Sequence, residues 1–481
     1  MRKNITKLIF SLFGLLIINN SIIAQLSITG ELRPRFEYRH GYKSVTDSAQ
    51  NPAAFVQQRT RLNFGYKADG YRVKMSLQDI HVWGSQPQLI STYSGINPNG
   101  AYLSLHEAWG EAFLNKYLSF KFGRQEIILD DSRIFGNVNW AQQARSHDAA
   151  MFIYNKGNLQ FQIAGAYNQD KAALENTTAS KGNYKSFQYF WIHNKFNDNF
   201  NVSLLFLNNG KEQLDSVRIN NQPTDITYND KYSQTMGTRL VYTKGKVSSN
   251  ASFYYQTGIL GDRTQVFTDI NGDYDKHISA INFSGDVSYN ITDHLTSTIG
   301  YEYLSGQSLA DTSYSYRTKT HSFTPLYGTN HKFNGFMDYF YVGNHVGNVG
   351  LRDVYMKLKH KKDNYWYGLD VHAFSAANEV LDGFKIDQEN QIALATIGNI
   401  SGVDQLQTMP SYFGTEFDFT FGTDISKGVV LKAGYSVMLA TETLAYVKGV
   451  VNYEGQGRVS QNNNWGWLMI IIKPDFLSQN E

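Results

Sequence analysis

The chain has 481 residues, of which 18% are charged and 14% are aromatic, and it contains no cysteine. The absence of cysteine excludes disulfides, thiolate metal ligands and cysteine nucleophiles. Forty glycines, 32 tyrosines and 30 phenylalanines against eight prolines favour a long sheet with aromatic girdles, although a soluble β-sandwich or β-propeller can have a similar composition.

The N-terminal segment 1–24 is typical of a secretory signal peptide that is cleaved after export. It begins with basic residues, continues with an apolar stretch over 8–18, and ends at Ala24, before a plausible cleavage point. No later apolar run approaches the roughly 20 residues that a membrane-spanning helix needs. We therefore expect an exported chain in which residues 25–481 form one domain.

The net charge of the exported chain is close to zero. The formal charge of +2 rests on 44 basic and 42 acidic residues, but Arg2, Lys3 and Lys7 lie in the signal segment. Their removal leaves 41 basic residues and a charge of −1. Any preference for a charged ligand must therefore arise from the local placement of charges.

The first predicted strand, over residues 26–39, alternates strictly between apolar and polar side chains. Alternation with period two over about 14 residues predicts a long β-strand with one apolar and one polar face. In a membrane barrel the apolar face contacts lipid and the polar face lines a wet lumen. The polar face of this strand carries Ser27, Thr29, Glu31, Arg33, Arg35, Glu37 and Arg39.

The same alternation recurs along the chain, for example over 59–67, 71–78, 295–303 and 416–421. Between the predicted strands, short turn-rich links alternate strictly with long links. The short links are at 68–70, 115–116, 156–157, 197–199, 244–246, 290–294, 361–362 and 423–427. The long links are near 40–54, 81–101, 126–145, 168–184, 209–233, 258–277, 306–350, 375–410 and 440–463.

Eight short turns and nine long loops predict an all-β fold, a transmembrane antiparallel up-and-down β-barrel of about 18 strands. Both ends and every short turn would lie in the periplasm, as in bacterial outer-membrane barrels. The segment Phe336–Val342 could form a strand, but we assign it to a loop because an extra strand would make the number odd. Such a barrel is wide enough for an aqueous channel. Because alternation starts directly after the signal, we expect no N-terminal plug domain.

Basic side chains cluster on the predicted lumen face of the first three strands, where only Glu31 and Glu37 oppose them. Neighbouring strands lie about 5 Å apart, so these long side chains can reach one another. Guanidinium clusters bind carboxylate or phosphate through paired donors, which favours an anion-selective pore. Alternatively, Arg–Glu pairs on the lumen wall only stiffen the barrel. The cluster consists of Arg33, Arg35, Arg39, Arg59, Arg61, Lys67, Arg72 and Lys74.

The predicted loop over 126–145 combines mixed charges with Trp140, and a loop that folds inward commonly constricts a porin. Short motifs in and around this loop occur in a fixed order with others along the chain. The motifs are Arg33-Pro34-Arg35, Gln58-Arg59-Thr60-Arg61, His106-Glu107-Ala108-Trp109, Gly123-Arg124-Gln125, Arg145-Ser146-His147-Asp148-Ala149, Pro325-Leu326-Tyr327-Gly328-Thr329 and Trp465-Gly466-Trp467 through Lys473-Pro474. This ordered set resembles the alginate-export family of outer-membrane barrels over nearly all of residues 25–481.

The resemblance implies an 18-stranded pore with an arginine-rich lumen that passes an anionic polysaccharide such as alginate. Two features depart from the family pattern: the later strands carry few inward basic residues, and the chain continues beyond Phe476, the aromatic on which an assembly signal would end. By motif, the implied pore-lining residues are Arg33, Arg35, Arg59, Arg61, Arg124, Arg133 and Arg145, with Asp131 as a carboxylate partner. The lumen-face residues Arg39, Arg72 and Lys74 complete the candidate substrate-binding set.

Two other patterns suggest different chemistry. Acidic and amide oxygens alternate over 269–275, but Tyr274 replaces the glycine of an EF-hand, which favours a solvated acidic loop over a calcium site. Ser146, His147 and Asp148 are the residue types of a hydrolase triad, but strand neighbours point to opposite faces. We therefore expect neither catalysis nor a metal or cofactor.

The favoured expectation is a passive channel in the bacterial outer membrane. Its partners would be outer-membrane lipid and lipopolysaccharide, an anionic polysaccharide or small acidic solute, and periplasmic proteins, with no nucleic acid. Two alternatives stay open: a general or neutral-sugar porin, and a closed barrel that acts as a surface receptor or adhesin.

Overall fold

The computed structural model describes most of the chain from Gln25 onward. The described residues are 25–47, 49–85, 103–175, 184–219, 222–269, 272–311, 313–382, 408–450 and 462–478. The proposed signal peptide, residues 1–24, lies outside them.

Strands dominate the described part of the chain, and 18 of them form the wall of one barrel. The remaining four, β12, β13, β16 and β22, are two to four residues long. In chain order the strands are β1 (Gln25–His40), β2 (Ala53–Lys67), β3 (Tyr71–Val82), β4 (Ser104–Phe113), β5 (Leu118–Gln125), β6 (His147–Lys156), β7 (Leu159–Tyr167), β8 (Ser186–Asn197), β9 (Phe200–Ile219), β10 (Gln222–Lys244) and β11 (Val247–Ile259). They continue with β12 (Thr268–Asp269), β13 (Gly272–Asp273), β14 (His277–Asn290), β15 (Leu295–Leu304), β16 (Lys319–Thr320), β17 (Leu351–Lys362), β18 (Tyr365–Ser375), β19 (Tyr412–Ser426), β20 (Val429–Ala440), β21 (Asn463–Ile472) and β22 (Asp475–Ser478).

Each wall strand pairs antiparallel with its neighbours in sequence, and the first and last strands close the barrel. Arg35 of β1 lies opposite Met469 of β21. After a break at Pro474, β22 continues along the first half of β1, with Ser27 opposite Ser478. Proline has no backbone N–H to donate, but the Pro474 carbonyl accepts from the Gly30 N–H at 2.9 Å. The predicted 18-stranded antiparallel barrel is confirmed.

The predicted alternation of faces is also confirmed. Outward side chains are apolar and exposed, such as Ile299 at 63% and Phe419 at 50%, whereas inward Glu302 and Glu416 are buried. A belt of exposed apolar side chains around a closed antiparallel barrel is the surface that lipid covers. Within the described residues, no helix is long and apolar enough to cross a membrane.

The predicted loop over 209–233 is wrong, because this segment forms a long hairpin. Strands β9 and β10 stay in register to Arg218 and Pro223, with one shift near the tip. These two strands extend well beyond their neighbours: β8 last pairs at Ser186, opposite Gly210. Beyond the membrane both faces of a ribbon meet water, so the sequence loses the apolar alternation that marks a membrane strand.

The apolar core of the molecule lies inside the barrel, where described parts of other long connections fold inward; residues 86–102, 383–407 and 451–461 of the predicted long links lie outside the described residues. Phe336–Val342 is not a strand, as predicted, and its residues Met337, Tyr339 and Phe340 are at most 1% exposed. A six-residue helix, Glu442–Val447, also buries Leu444 and Ala445 there. These inward connections determine what space remains in the lumen.

Candidate functional site

Two connections narrow the lumen, and we name them by their residues. The constriction loop is residues 126–146, between β5 and β6, and the inner lobe is residues 305–350, between β15 and β17. Both segments leave the barrel wall on the side where the long loops lie. In an outer-membrane barrel this side is the extracellular end.

Three of the predicted lumen arginines bind the constriction loop. Arg33 donates to the Asn139 carbonyl at 2.8 Å and to the Gln142 side chain at 2.8 Å. Arg35 donates to the Trp140 carbonyl at 2.7 Å, and Arg59 to the Gln142 carbonyl at 3.3 Å. All three side chains are buried. A guanidinium has five N–H donors and no acceptor, so it satisfies several orphan carbonyls of an irregular loop at once.

Four of the other basic residues predicted on β1 to β3 have side-chain partners on the wall itself; for the exposed Lys67 the structure shows no side-chain partner among the described residues. These pairs join Arg39 to Glu37 at 2.8 Å, Arg61 to Gln78 at 2.6 Å, Arg72 to Glu111 at 2.6 Å and Lys74 to Glu107. Arg72 and Lys74 remain partly exposed to the lumen. Three of these partners are carboxylates, and such ion pairs stiffen the wall and leave a weaker field for solutes. Gln78 is neutral, so Arg61 keeps its charge.

The structure separates Arg124 from Asp131 and Arg133, the predicted residues at the start and in the middle of the constriction loop. Arg124 borders the extracellular end of β5 and pairs with Asp148 at 2.9 Å. Asp131 accepts from Arg239 of β10 at 3.2 Å, and Arg133 pairs with Glu302 of β15. Asp131 and Arg133 therefore hold the middle of the loop against the wall opposite β1 to β3.

Carboxylates on the far wall anchor the inner lobe, and the sequence analysis did not single them out. Glu416 accepts from the Met337 N–H at 2.8 Å, and Asp418 accepts from the Phe336 N–H at 3.3 Å. Asn334 donates to Glu302 at 2.8 Å and to Asp353 at 3.2 Å. The only signal in the sequence is their inward position in alternating strands, which does not identify a partner.

The constriction loop and the inner lobe also bind each other. The Gly136 N–H donates to the Tyr327 carbonyl and the Thr329 N–H to the Ser132 carbonyl, both at 2.9 Å. Trp140 stacks on His331 with ring centroids 4.7 Å apart. The two connections thus form one body that spans the lumen between a basic and an acidic wall.

Space remains on both sides of this body. On the extracellular side a cavity of about 330 Å³ is bordered by both connections and by Lys211 of β9. On the periplasmic side, cavities of about 290 Å³ and 400 Å³ lie against Asn139 and the opposite parts of the wall.

Arg145, at the end of the constriction loop, borders the extracellular cavity together with Lys211, His147 and Tyr184. Its guanidinium donates to the Gly328 carbonyl at 3.2 Å. Burial lowers the pKa of Arg145, and only tyrosines are near enough to offset this effect. Within the described residues Arg145 makes no ion pair. Asp148 borders the same cavity but is paired with Arg124, so Arg145 and Lys211 leave the cavity with an excess of positive charge.

Neither a hydrolase triad nor the calcium loop gains support from the contacts. The His147 ring contacts the Tyr184 hydroxyl at 3.0 Å, while Asp148 is held by Arg124. In the segment 269–275, residue 271 lies outside the described residues and Asp275 pairs with Lys231 at 2.6 Å.

His106, Glu107 and Glu126 place potential ligand atoms within 4.8 Å of one another. Glu107 is already paired with Lys74, and Glu126 contacts His106 at 2.8 Å. Burial raises the pKa of Glu126, but hydrogen bonds from His106 and Asn137 outweigh it and lower the pKa below its usual value. These internal partners account for the cluster without an ion.

No protein-family model and no curated protein matches the chain. Solved structures match it at low identity. Pseudomonas aeruginosa OccK9 (OpdG) is 12% identical, with a TM-score of 0.55 over 94% of this chain and 98% of that one. Acinetobacter baumannii OccAB4 is 10% identical, with a TM-score of 0.55 over 95% and 100%. Pseudomonas aeruginosa OpdK with vanillate is 11% identical, with a TM-score of 0.51 over 93% and 99%.

These likenesses show that the chain shares the barrel fold of outer-membrane porins. They do not show that it belongs to the alginate-export family. Together with the closed sheet and its apolar outer belt, they place the chain in the bacterial outer membrane.

Proposed function

We propose that this barrel is a passive channel for small anionic solutes. The observation that carries the proposal is Arg145, a half-buried guanidinium that borders the extracellular cavity and makes no ion pair among the described residues. A partly desolvated cation without an ion pair attracts a passing anion, which supplies the missing charge.

Further cations line the cavities along the same path. Lys211 borders the extracellular cavity beside Arg145. Lys432 borders one periplasmic cavity. In the other, Arg61 and Lys74 lie among the carboxylates Glu31, Glu107 and Glu126, so that cavity has no excess of positive charge. Several weak sites in series suit conduction, because a solute must be able to leave each one. The basic cluster of β1 to β3 serves this path chiefly by holding the constriction loop.

The size of the remaining space favours a small solute over a polymer. The constriction loop and the inner lobe bury their apolar side chains across the lumen, and the cavities beside them measure about 290 to 400 Å³. Pockets for small molecules begin at about 300 Å³. An acidic polysaccharide such as alginate, which the motifs imply, would need both connections to move.

The solved neighbours agree with a small acidic cargo. The OpdK structure was obtained with vanillate, a small aromatic carboxylate, in a barrel that shares this fold. At 11% identity this likeness supports the size of cargo that such a barrel accommodates.

Planar-bilayer recording tests the proposal through the reversal potential in a salt gradient. We expect anion selectivity for the native barrel and a several-fold lower anion-to-cation permeability ratio for Arg145→Gln. Lys116→Gln, an exposed residue of a periplasmic turn, makes the same charge change outside the lumen and should leave the ratio unchanged. Cation selectivity, an absence of conductance, or an unchanged ratio in Arg145→Gln would each overturn the proposal.

Liposome swelling tests the size and charge of the cargo. Monomeric acids should enter faster than neutral sugars of equal mass and much faster than alginate oligomers. If neutral sugars enter equally fast, the barrel is a general porin. If the oligomers enter as fast as the monomers, the proposal of a small-solute channel is wrong. That result would favour the hypothesis of an acidic-polysaccharide channel.

A further inference from the structure

The periplasmic cavity of about 290 Å³ is walled largely by aromatic side chains. Trp140, Trp366, Trp467, His331 and Phe336 line it. Three of the seven tryptophans of the chain therefore surround one small space inside the lumen. A concave, mostly aromatic site with a few placed polar groups is the usual form of a small-molecule site.

Two of the indoles lie against cross-strand glycines of the barrel wall. Trp366 of β18 lies directly across from Gly422 of β19, and a Cβ at Gly422 would come within 2.5 Å of the Trp366 Nε1. Trp467 of β21 has the same relation to Gly434 of β20. Because each glycine lets one ring face rest against the backbone, both indoles can line the cavity with the rest of the ring. The Lys359 ammonium also lies 5.5 Å from the centroid of the Trp366 ring.

The third indole is fixed by stacking rather than by the wall. The Trp140 ring lies 4.7 Å from His331 at an interplanar angle of 12° and meets Trp467 edge-on at 4.8 Å. The Arg35 guanidinium covers it at 4.2 Å. A rigid aromatic surface of this kind loses little entropy when a ligand ring packs on it.

One lysine supplies a charge to this surface. Lys432 borders the cavity and, within the described residues, makes no ion pair. The charged groups that act on it most strongly are the cations Lys473, Arg33 and Lys359 and the acid Asp424. Arg33 is already bound to the constriction loop, so Lys432 is the group left to meet a ligand.

We infer that this cavity binds a small ring-bearing acid, with one ring face against the indoles and its carboxylate on Lys432. The inference rests on the proposed anion channel and adds a ring requirement to it. A sugar acid, through the C–H face of its ring, and an aromatic acid share the required chemistry, and the experiment separates them.

The test is a titration of intrinsic tryptophan fluorescence in the purified barrel in detergent. Galacturonate, benzoate, glucose and acetate are the probes. We expect a saturable change with galacturonate, benzoate or both, and at least about tenfold weaker binding of acetate, which lacks the ring, and of glucose, which lacks the charge. Saturation by only one of the two acids identifies the source of the ligand.

Two variants keep all seven tryptophans as reporters. Lys432→Met should weaken binding about tenfold, as expected for the loss of a charge-assisted contact. Gly422→Val should displace Trp366 and weaken binding similarly, provided that the barrel still migrates as a folded species in gels without heating. Lys427→Met, in an exposed turn next to β20, should bind as the native barrel does.

The outcomes separate this inference from the proposed function. Anion selectivity in bilayers together with equal binding of acetate and the ring acids, or binding unaffected by Lys432→Met and Gly422→Val, would overturn the ring site alone. Ring-acid binding in a barrel without anion selectivity would overturn the channel proposal while the site stands.

Discussion

At the scale of single residues, the arginines of the lumen have two different roles: some hold the constriction loop and one borders a cavity. Arg33, Arg35 and Arg59 bind carbonyls of the constriction loop, whereas Arg145 borders a cavity and makes no ion pair among the described residues. Alternation along β1 and β2 predicted that the first three point into the lumen. It could not predict their partners, because Arg33 and the loop atoms that it binds are separated by 106 to 109 residues.

Arg33→Met should loosen the constriction loop while the barrel stays folded. The change leaves the Asn139 carbonyl and the Gln142 side chain without their donor. A lost hydrogen bond of this kind costs about 1–3 kcal/mol. We expect larger and noisier single-channel currents than in the native barrel. Arg72→Gln, which removes a partly exposed wall pair, is the control and should keep the native current level. Equal noise in both variants would contradict the anchoring role.

The contacts of Lys448 predict that the docking of the helix Glu442–Val447 on the inner lobe depends on pH. Its ammonium donates to the Tyr339 carbonyl of the inner lobe, and burial lowers the pKa of Lys448 to about 7 from an ordinary 10.5. Between these two values the undocked lysine binds more protons than the docked one, so docking gains free energy as the pH rises.

Hydrogen exchange measures this effect once the rates are corrected for intrinsic exchange. Amides of the helix should be better protected near pH 9 than near pH 6, and the difference should disappear in Lys448→Met. A difference of the same size in the variant would show that another group is responsible.

At the scale of elements, the two sides of the barrel wall bind different backbone groups of the two inward connections. The basic wall of β1 and β2 binds carbonyl oxygens of the constriction loop, and the acidic wall of β19 binds N–H groups of the inner lobe. Irregular backbone inside a barrel must find partners for both kinds of group. A basic wall facing an acidic wall supplies both.

Gly335→Ala tests the acidic anchor of the inner lobe. Gly335 has a φ of +75°, and a Cβ there would lie 2.6 Å from the Glu416 carboxylate. Gly343→Ala is a matched control, because its φ is +76° and nothing lies within 4 Å of its Cβ position. Both changes carry the backbone strain of about 1 kcal/mol, but only Gly335→Ala should displace the lobe. The readout is protease cleavage within residues 335–341; equal cleavage in both variants would contradict the anchor.

Elements inside the membrane could be predicted from the sequence, and those outside it could not. Lipid on one side and water on the other impose period two on β1 and β15, and turn length follows from the side of the membrane. The upper part of β9 and β10 has water on both sides, and that part was predicted as a loop. The inward path of residues 305–350 depends on buried carboxylates of strands far along the chain, and no local pattern encodes it.

At the scale of the whole molecule, the barrel is closed by its own ends and filled by its own loops. Pairing of β1 with β21 and β22 closes the sheet, so the wall has no edge strand, which suits a chain without cysteine. The interior then holds a core that a soluble domain would place between layers, with aromatic side chains of both connections packed together, such as Phe135 and Tyr327. The cavities are the space that this core leaves at each end.

The constriction loop and the inner lobe should respond to mutation as one unit. They share the Gly136–Tyr327 and Thr329–Ser132 hydrogen bonds and the Trp140–His331 stack, so release of one connection removes part of the support of the other. Sites that share partners show non-additive free energies. In bilayers, the double variant Arg33→Met with Gly335→Ala should therefore increase current noise little more than the stronger single variant. Arg33→Met with Gly343→Ala serves as the control pair and should equal Arg33→Met alone. If the effects of Arg33→Met and Gly335→Ala on current noise simply add, the constriction loop and the inner lobe are held independently of each other.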